Sequence, residues 1–218
     1  MVNKIYINIF QNSIFFLNNI VEYSMGYFNG NDFNGDCLIL LSYLEEIEYY
    51  AGTERRTGQF KGVKINKNCG SMLLGYTWKG YLKKDKDGNK IYREKSEYKG
   101  LYKTKCKAMY PELDFILKEF SDLYFSGFSW TQVQLNKNYK CTPHFDSSNI
   151  NESILLTLGD FTGGDTIVEI DKKHVTYNSH HEIVKFNGSK YKHWTTDFTG
   201  DRYALVFFNN NKLLLPLT

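Results

Sequence analysis

From Trp130 onward the chain breaks into short runs rich in β-branched and aromatic residues, and this punctuation constrains the fold more than anything else in the sequence. The runs are WTQVQLN, KCTPHFD, SILLTL, DTIVEI, HVTYN, EIVKF, YKHWT, RYALVFF and KLLLPL, with turns such as Gly163-Gly164 and Asn187-Gly188 between them. Eight or nine candidate strands at a spacing of roughly 8–12 residues predict a sandwich or barrel, and two packed sheets in a jelly roll are the natural solution. Ahead of them, Pro111 to Phe125 (PELDFILKEFSDLYF) reads as a helix, with Pro111 at its first position and Leu113, Ile116, Leu117, Phe120 and Leu123 in one stripe. Cys37 to Tyr50 (CLILLSYLEEIEYY) has a helical spacing of apolar residues too. The expected class is mainly β with flanking helices (α+β) around a double-stranded β-helix (jelly roll) core.

At 218 residues one domain is expected over 1–218. Residues 1–110 form an N-terminal elaboration, and 111–218 form a helix plus the jelly-roll core. The apolar run Ile14 to Leu17 is far short of the about 18 apolar residues a membrane helix needs. The opening MVNKIYINIFQNSIFFLNN lacks both a continuous apolar core and a small-residue cleavage site. Cys37, Cys69, Cys106 and Cys141 follow no disulfide or zinc spacing. These features predict no membrane partner and an intracellular protein with reduced thiols, in cytoplasm or nucleus. Oligomeric state is not encoded in any feature of the sequence.

Charge is unevenly placed. Residues 53–107 carry 16 Lys or Arg against 5 Asp or Glu, a net of +11, while the rest carries 11 against 19, a net of −8. A basic segment beside an acidic body is the footprint of a polyanion partner, nucleic acid first; a solvated lysine-rich hairpin is the plainer alternative. Within it, KKDKDGNK (83–90) reads as a hairpin tip with an Asp-Gly turn, flanked by strands in 73–82 and 91–102. GTERRTGQFKG (52–62) is glycine-interrupted and basic, suited to a substrate loop. Lysine outnumbers arginine 23 to 4, a bias of AT-rich genomes, so each of Arg55, Arg56, Arg93 and Arg202 is a candidate for planar, bidentate work that lysine cannot do.

His144 and Asp146 stand at i and i+2 in PHFDSSN. On a strand both project to one side, with Phe145 on the other. An imidazole and a carboxylate held together supply two members of a two-His-one-carboxylate triad, which leaves ferrous iron three open positions. His193, in KYKHWT, is a third ligand if a late strand returns beside an early one. His180-His181 is a rival, but no arginine follows it at a suitable offset, and His174 reads as surface. Arg202 opens the apolar strand RYALVFF, and a buried arginine there needs an anion. The distal carboxylate of 2-oxoglutarate fits, gripped in a bidentate pair while the 2-oxo acid end chelates the metal.

HFD at 144–146, His193 and Arg202 resemble the pattern of the Fe(II)/2-oxoglutarate-dependent dioxygenases, which is HxD, a distal His and then an Arg. The surrounding text, VQLNKNYKCTPHFDSSN, LGDFTGGDTIVEI and VKFNGSKYKHWTTDFTGDRYALVFF, is most similar to the TET/JBP-type branch, especially its protist and viral relatives, over about residues 128–210. That branch oxidises the methyl group of 5-methylpyrimidines in nucleic acid. The resemblance implies an oxygenase with metal ligands His144, Asp146 and His193 and with Arg202 on 2-oxoglutarate. It also implies O2 as oxidant, ascorbate as stimulant, and succinate and CO2 as products. Asn136 and Tyr203 are further candidates around the co-substrate. Arg55, Arg56, Lys61, Lys64, Asn149 and Trp194 are candidates for substrate, with Lys67 on the phosphate backbone and Ser153 in the pocket.

Each has a plainer reading: Asn149 and Ser153 as turn caps, Trp194 and Tyr203 as core, Gly163-Gly164 as a simple turn. A cupin reading of the jelly roll lacks the HxH pair. A protein side-chain (prolyl or lysyl) hydroxylase of the same superfamily remains an alternative, as does a non-catalytic nucleic-acid-binding module.

Overall fold

The computed structural model describes residues 26–50, 69–79, 82–84, 87, 90–92, 100–211 and 213. Helix α1 (Phe33–Glu45) begins earlier than the apolar spacing suggests, because the Asp32 carboxylate caps it by accepting from the Gly35 N–H at 3.0 Å. It also stops short of Tyr50, and Ile47 and Tyr49 are buried beyond its end. Asp36 is buried in its first turn and accepts from the Gly30 N–H (2.9 Å) and the Tyr124 hydroxyl (2.5 Å), so the charge is fully engaged. After a short α2 (Lys105–Met109), α3 runs Pro111–Tyr124 with Pro111 in its first turn. Leu113, Ile116, Leu117 and Phe120 are buried as expected, whereas Leu123 is 45% exposed.

Strands β1 (Gly70–Lys79), β2 (Leu82–Lys84), β3 (Lys90–Tyr92) and β4 (Gly100–Lys103) build the basic hairpin: β1 pairs with β4, and β2 with β3 from Lys84↔Lys90 outward. Then follow β5 (Gln132–Lys137), β6 (Asn149–Gly163), β7 (Thr166–Ile170), β8 (Lys173–Tyr177), β9 (Val184–Phe186), β10 (Lys192–Thr195) and β11 (Phe198–Asn210). Among the described residues there is a six-stranded sheet, β4-β1-β5-β11-β6-β9, and a three-stranded one, β10-β7-β8, with every strand pair antiparallel. This is the jelly roll with flanking helices. Among the described runs KCTPHFD is the exception to the strand pattern, since only His144 pairs, in an isolated antiparallel bridge with His193, and KLLLPL lies outside the described residues but for Leu213.

Alternation along the strands gives the large sheet two different faces. Val133 and Leu135 of β5, Leu156 and Leu158 of β6, and Leu205 and Phe207 of β11 pack with Phe120, Leu117 and Leu40 of the helices. Edge-on aromatic contacts, such as Phe125 against Phe207 at 4.8 Å between centroids, tie the layers. The other face, toward the small sheet, keeps a smaller apolar cluster of Leu155, Ala204, Val184 and Phe186 against Val168 and mixes it with polar side chains. Ser71, Gln134, Asn136, Ser153, Thr157 and Arg202 are all buried there. A sheet that spends buried area on polar side chains is organised for a ligand rather than for packing.

Candidate active site

His144 and His193 are clipped face to face by reciprocal backbone hydrogen bonds, His144 N–H to the His193 carbonyl and His193 N–H to the His144 carbonyl, both 3.0 Å. Their rings lie 4.3 Å apart. Asp146 is pinned by its N–H to the Gly188 carbonyl (2.8 Å) in the loop before β10. Thus two segments far apart in sequence present three ligand atoms within 4.8 Å of one another.

Backbone carbonyls set the tautomers. Nδ1 of His144 faces the Thr142 carbonyl at 2.7 Å, and Nδ1 of His193 faces the Tyr191 carbonyl at 3.1 Å. A carbonyl only accepts, so each Nδ1 carries a proton and each Nε2 is the nitrogen left facing Asp146. Those nitrogens stand 3.6 Å (His144) and 3.5 Å (His193) from the two Asp146 oxygens. Metal–ligand bonds of about 2.1 Å place neighbouring ligands of an octahedral ion about 3 Å apart, so the three fit one face of a divalent ion with little movement. Burial opposes ionisation of Asp146, but the two imidazoles outweigh it and hold its carboxyl below the usual carboxylate range. The Asn149 amide donates to Asp146 Oδ2 (3.3 Å) and to Ser153 Oγ (3.4 Å), joining the carboxylate to β6.

Gly188 completes the enclosure. A Cβ there would stand 3.0 Å from both Asp146 Oδ2 and His193 Cε1. We expect Gly188→Ala to lower divalent-metal affinity about 10- to 100-fold, the scale of lost ligand positioning, with the fold retained. Calorimetric titration of Fe(II) or Co(II) checks this, and wild-type affinity would show that the loop yields instead.

Arg202 lies on β11 opposite Gly159 and is 2% exposed. Its guanidinium sits 5.6 Å from the centroids of both Phe161 and Phe198. Among the described residues it has no ion pair with a carboxylate, and its Nε has no hydrogen-bond partner. Burial pulls the group down to about 10, which still leaves it cationic at neutral pH. A desolvated cation between two rings, without an ion pair, is a candidate to meet an anion. Gly164 lies against it: φ is +73° there, and a Cβ would come within 2.9 Å of the Arg202 Cδ and Nε. The turn is therefore also a wall of this pocket.

Asn136 shares the inner face with Arg202, its Oδ1 2.6 Å from Ser71 Oγ. Two of the sequence candidates point elsewhere. Tyr203 follows Arg202 and so turns to the helix side, packing 6.0 Å from Tyr49. Trp194 follows His193 and turns to the outer face of the small sheet, edge-on to His174 at 5.0 Å. His180 accompanies β6 with its Nε2 3.0 Å from the Gly159 carbonyl, outside the triad, and His174 is exposed beside Glu169. Arg55, Arg56, Lys61, Lys64 and Lys67 lie outside the described residues. Asn138 was not anticipated: its side chain accepts from the Arg202 N–H (2.7 Å) and its own N–H donates to the Arg202 carbonyl (2.8 Å). Its φ of 49° lies in the left-handed region that asparagine tolerates.

No family model and no curated sequence matches the chain. Among solved structures it is similar to NgTET1 in complex with 5mC DNA, with 16% identity, TM-score 0.44, and 78% of this chain and 68% of that chain covered. It is similar as well to a prolyl hydroxylase from Trichoplax adhaerens in complex with a hypoxia inducible factor peptide fragment (15% identity, TM-score 0.45, 88% and 86% covered). A Pseudomonas putida prolyl-4-hydroxylase is a third (12% identity, TM-score 0.40, 86% and 91% covered). Among the described residues no helix is long and apolar enough to cross a membrane.

Proposed function

We propose that this chain is an Fe(II)- and 2-oxoglutarate-dependent dioxygenase that oxidises a nucleic-acid base, a 5-methylpyrimidine of DNA first. One pair of observations carries the chemistry: a buried arginine with an unpartnered Nε and no ion pair among the described residues lies on the face of the large sheet that looks toward the small one, and two imidazoles and a carboxylate are arranged for one metal ion. When bound, iron, 2-oxoglutarate and O2 would supply the chemistry, one oxygen atom of O2 going into the substrate C–H bond and the other into succinate as CO2 is released. His144 and His193 offer Nε2 lone pairs fixed by their Nδ1 protons, and Asp146 contributes one oxygen. Arg202 binds the distal carboxylate in bidentate fashion, and Phe161 and Phe198 exclude water from that pair.

The substrate reading is supported by the +11 charge of residues 53–107, part of which is the β1–β4 hairpin beside the jelly roll, and by the TET/JBP-like sequence around the site. Lys and Arg there neutralise phosphates and steer the strand, while the base leaves the stack to reach the metal. Asn149 and Ser153, hydrogen-bonded beside Asp146, are in place to meet it.

The experiment is conversion of 2-oxoglutarate to succinate with Fe(II) and ascorbate, without substrate and with methylated or unmethylated DNA, followed by nucleoside mass spectrometry. We expect stimulation by methylated DNA and an oxidised base, with affinity that falls as salt rises. A +16 Da product on peptides alone moves the substrate to protein. Succinate release in no condition leaves a binding module.

A further inference from the structure

The inner face of the large sheet holds one more group that the metal and co-substrate do not use. On β5, Val133 and Leu135 face the helices, so Gln132, Gln134 and Asn136 face the small sheet. Gln134 is 7% exposed. Its orientation is fixed, because the Met72 carbonyl 2.6 Å away only accepts and must face Nε2, which also donates to Ser71 Oγ at 2.9 Å. Both amide protons are therefore spent, and Oε1 is left buried with no partner. The register places Gln134 beside Val206 of β11, four residues from Arg202 on the same face. Val206 in turn packs with the cluster containing Phe186, whose ring is 4.9 Å from His193. The orphan acceptor thus shares the sheet face of the arginine, one strand from the residue that packs toward the triad.

We infer that Gln134 is a specificity-determining residue, its Oε1 accepting a hydrogen bond from an N–H or O–H of the primary substrate. Ionised 2-oxoglutarate carries only acceptors and cannot satisfy it. A site with a buried acceptor discriminates strongly against a ligand that offers no donor, because the acceptor then stays unpaired. Resting on the base reading above, this favours a base with an exocyclic amine over one with a carbonyl at that position.

The test compares wild type, Gln134→Leu and Gln134→Asn on duplexes carrying 5-methylcytosine or thymine at one site and on a prolyl peptide. The Kd of 2-oxoglutarate is measured without oxygen, and folding is checked by melting. Wild type is expected to prefer the amine-bearing base. Both variants should lose about ten-fold or more in kcat/KM for the favoured substrate, while the 2-oxoglutarate Kd moves less than about two-fold. Gln134→Asn retains the amide and retracts it, so the loss should appear in a protein that still folds. Unchanged kcat/KM in a folded variant overturns the inference. So does a ten-fold weaker 2-oxoglutarate complex, which would place Gln134 in the co-substrate pocket. Oxidation of the peptide alone overturns the base reading and not this one, provided the Gln134 variants lose that activity.

Discussion

A methionine in place of Arg202 is expected to give a protein that melts higher than wild type in plain buffer and gains nothing from added 2-oxoglutarate. The guanidinium is 2% exposed, its Nε lacks a partner, and among the described residues it forms no ion pair with a carboxylate. Replacing buried charge with an apolar side chain of similar length is neutral or stabilising by about 1–4 kcal/mol, a rise of about 2–16 °C for a chain of this size. The two flanking rings give back part of the cation's cost, which sets the lower end of that range. Affinity should move the opposite way. Truncating one partner of a buried, hydrogen-bonded charge pair costs about 2–5 kcal/mol, which is about thirty-fold to a few thousand-fold in the 2-oxoglutarate Kd. Arg202→Lys should restore little, since a point charge does not reproduce the planar fork. Melting curves with and without 2-oxoglutarate decide the matter: a variant that melts lower and still responds to the co-substrate would mean that the arginine is a structural element.

The second large effect is expected at Asp146. An Asp146→Ala protein should fold, carry no stoichiometric iron, and release succinate only at the level of the enzyme-free blank. Loss of a group that merely orients a ligand costs about 10- to 100-fold in metal affinity, and loss of one of three ligands must exceed that. Asp146 also holds its position through the backbone bond to Gly188, which alanine keeps, so folding and ligation separate cleanly. Iron content and succinate yield are the measurements, and a variant that retains both would remove Asp146 from the metal site.

Much of this was legible in the sequence, and the misses have physical causes. The strands of the jelly roll were marked by their β-branched runs, and α3 by Pro111 and its stripe. HFD was read as strand because its alternation is right, yet KCTPHFD pairs only at His144, so the common projection of His144 and Asp146 rests on one bridge and one bond to Gly188. The start of α1 was hidden because NGNDFNGD, which contains its cap, has the composition of a loop. Tyr203 and Trp194 were open to the same period-two argument that placed the ligands: a residue next to an inward one points out. Gly188 and the buried amide of Gln134 gave no local sign, since what matters at each is what the fold brings against it from elsewhere in the chain.

The reciprocal bridge between His144 and His193 has a consequence for folding as well as chemistry. The segment between them contains β6 through β9, so the bridge closes a loop that holds four strands. A metal held there acts as a removable staple across a loop of about fifty residues, and its binding energy adds to the stability of the whole barrel in proportion to the logarithm of free metal. Metal supply would then govern how long the protein lasts as well as how fast it turns over.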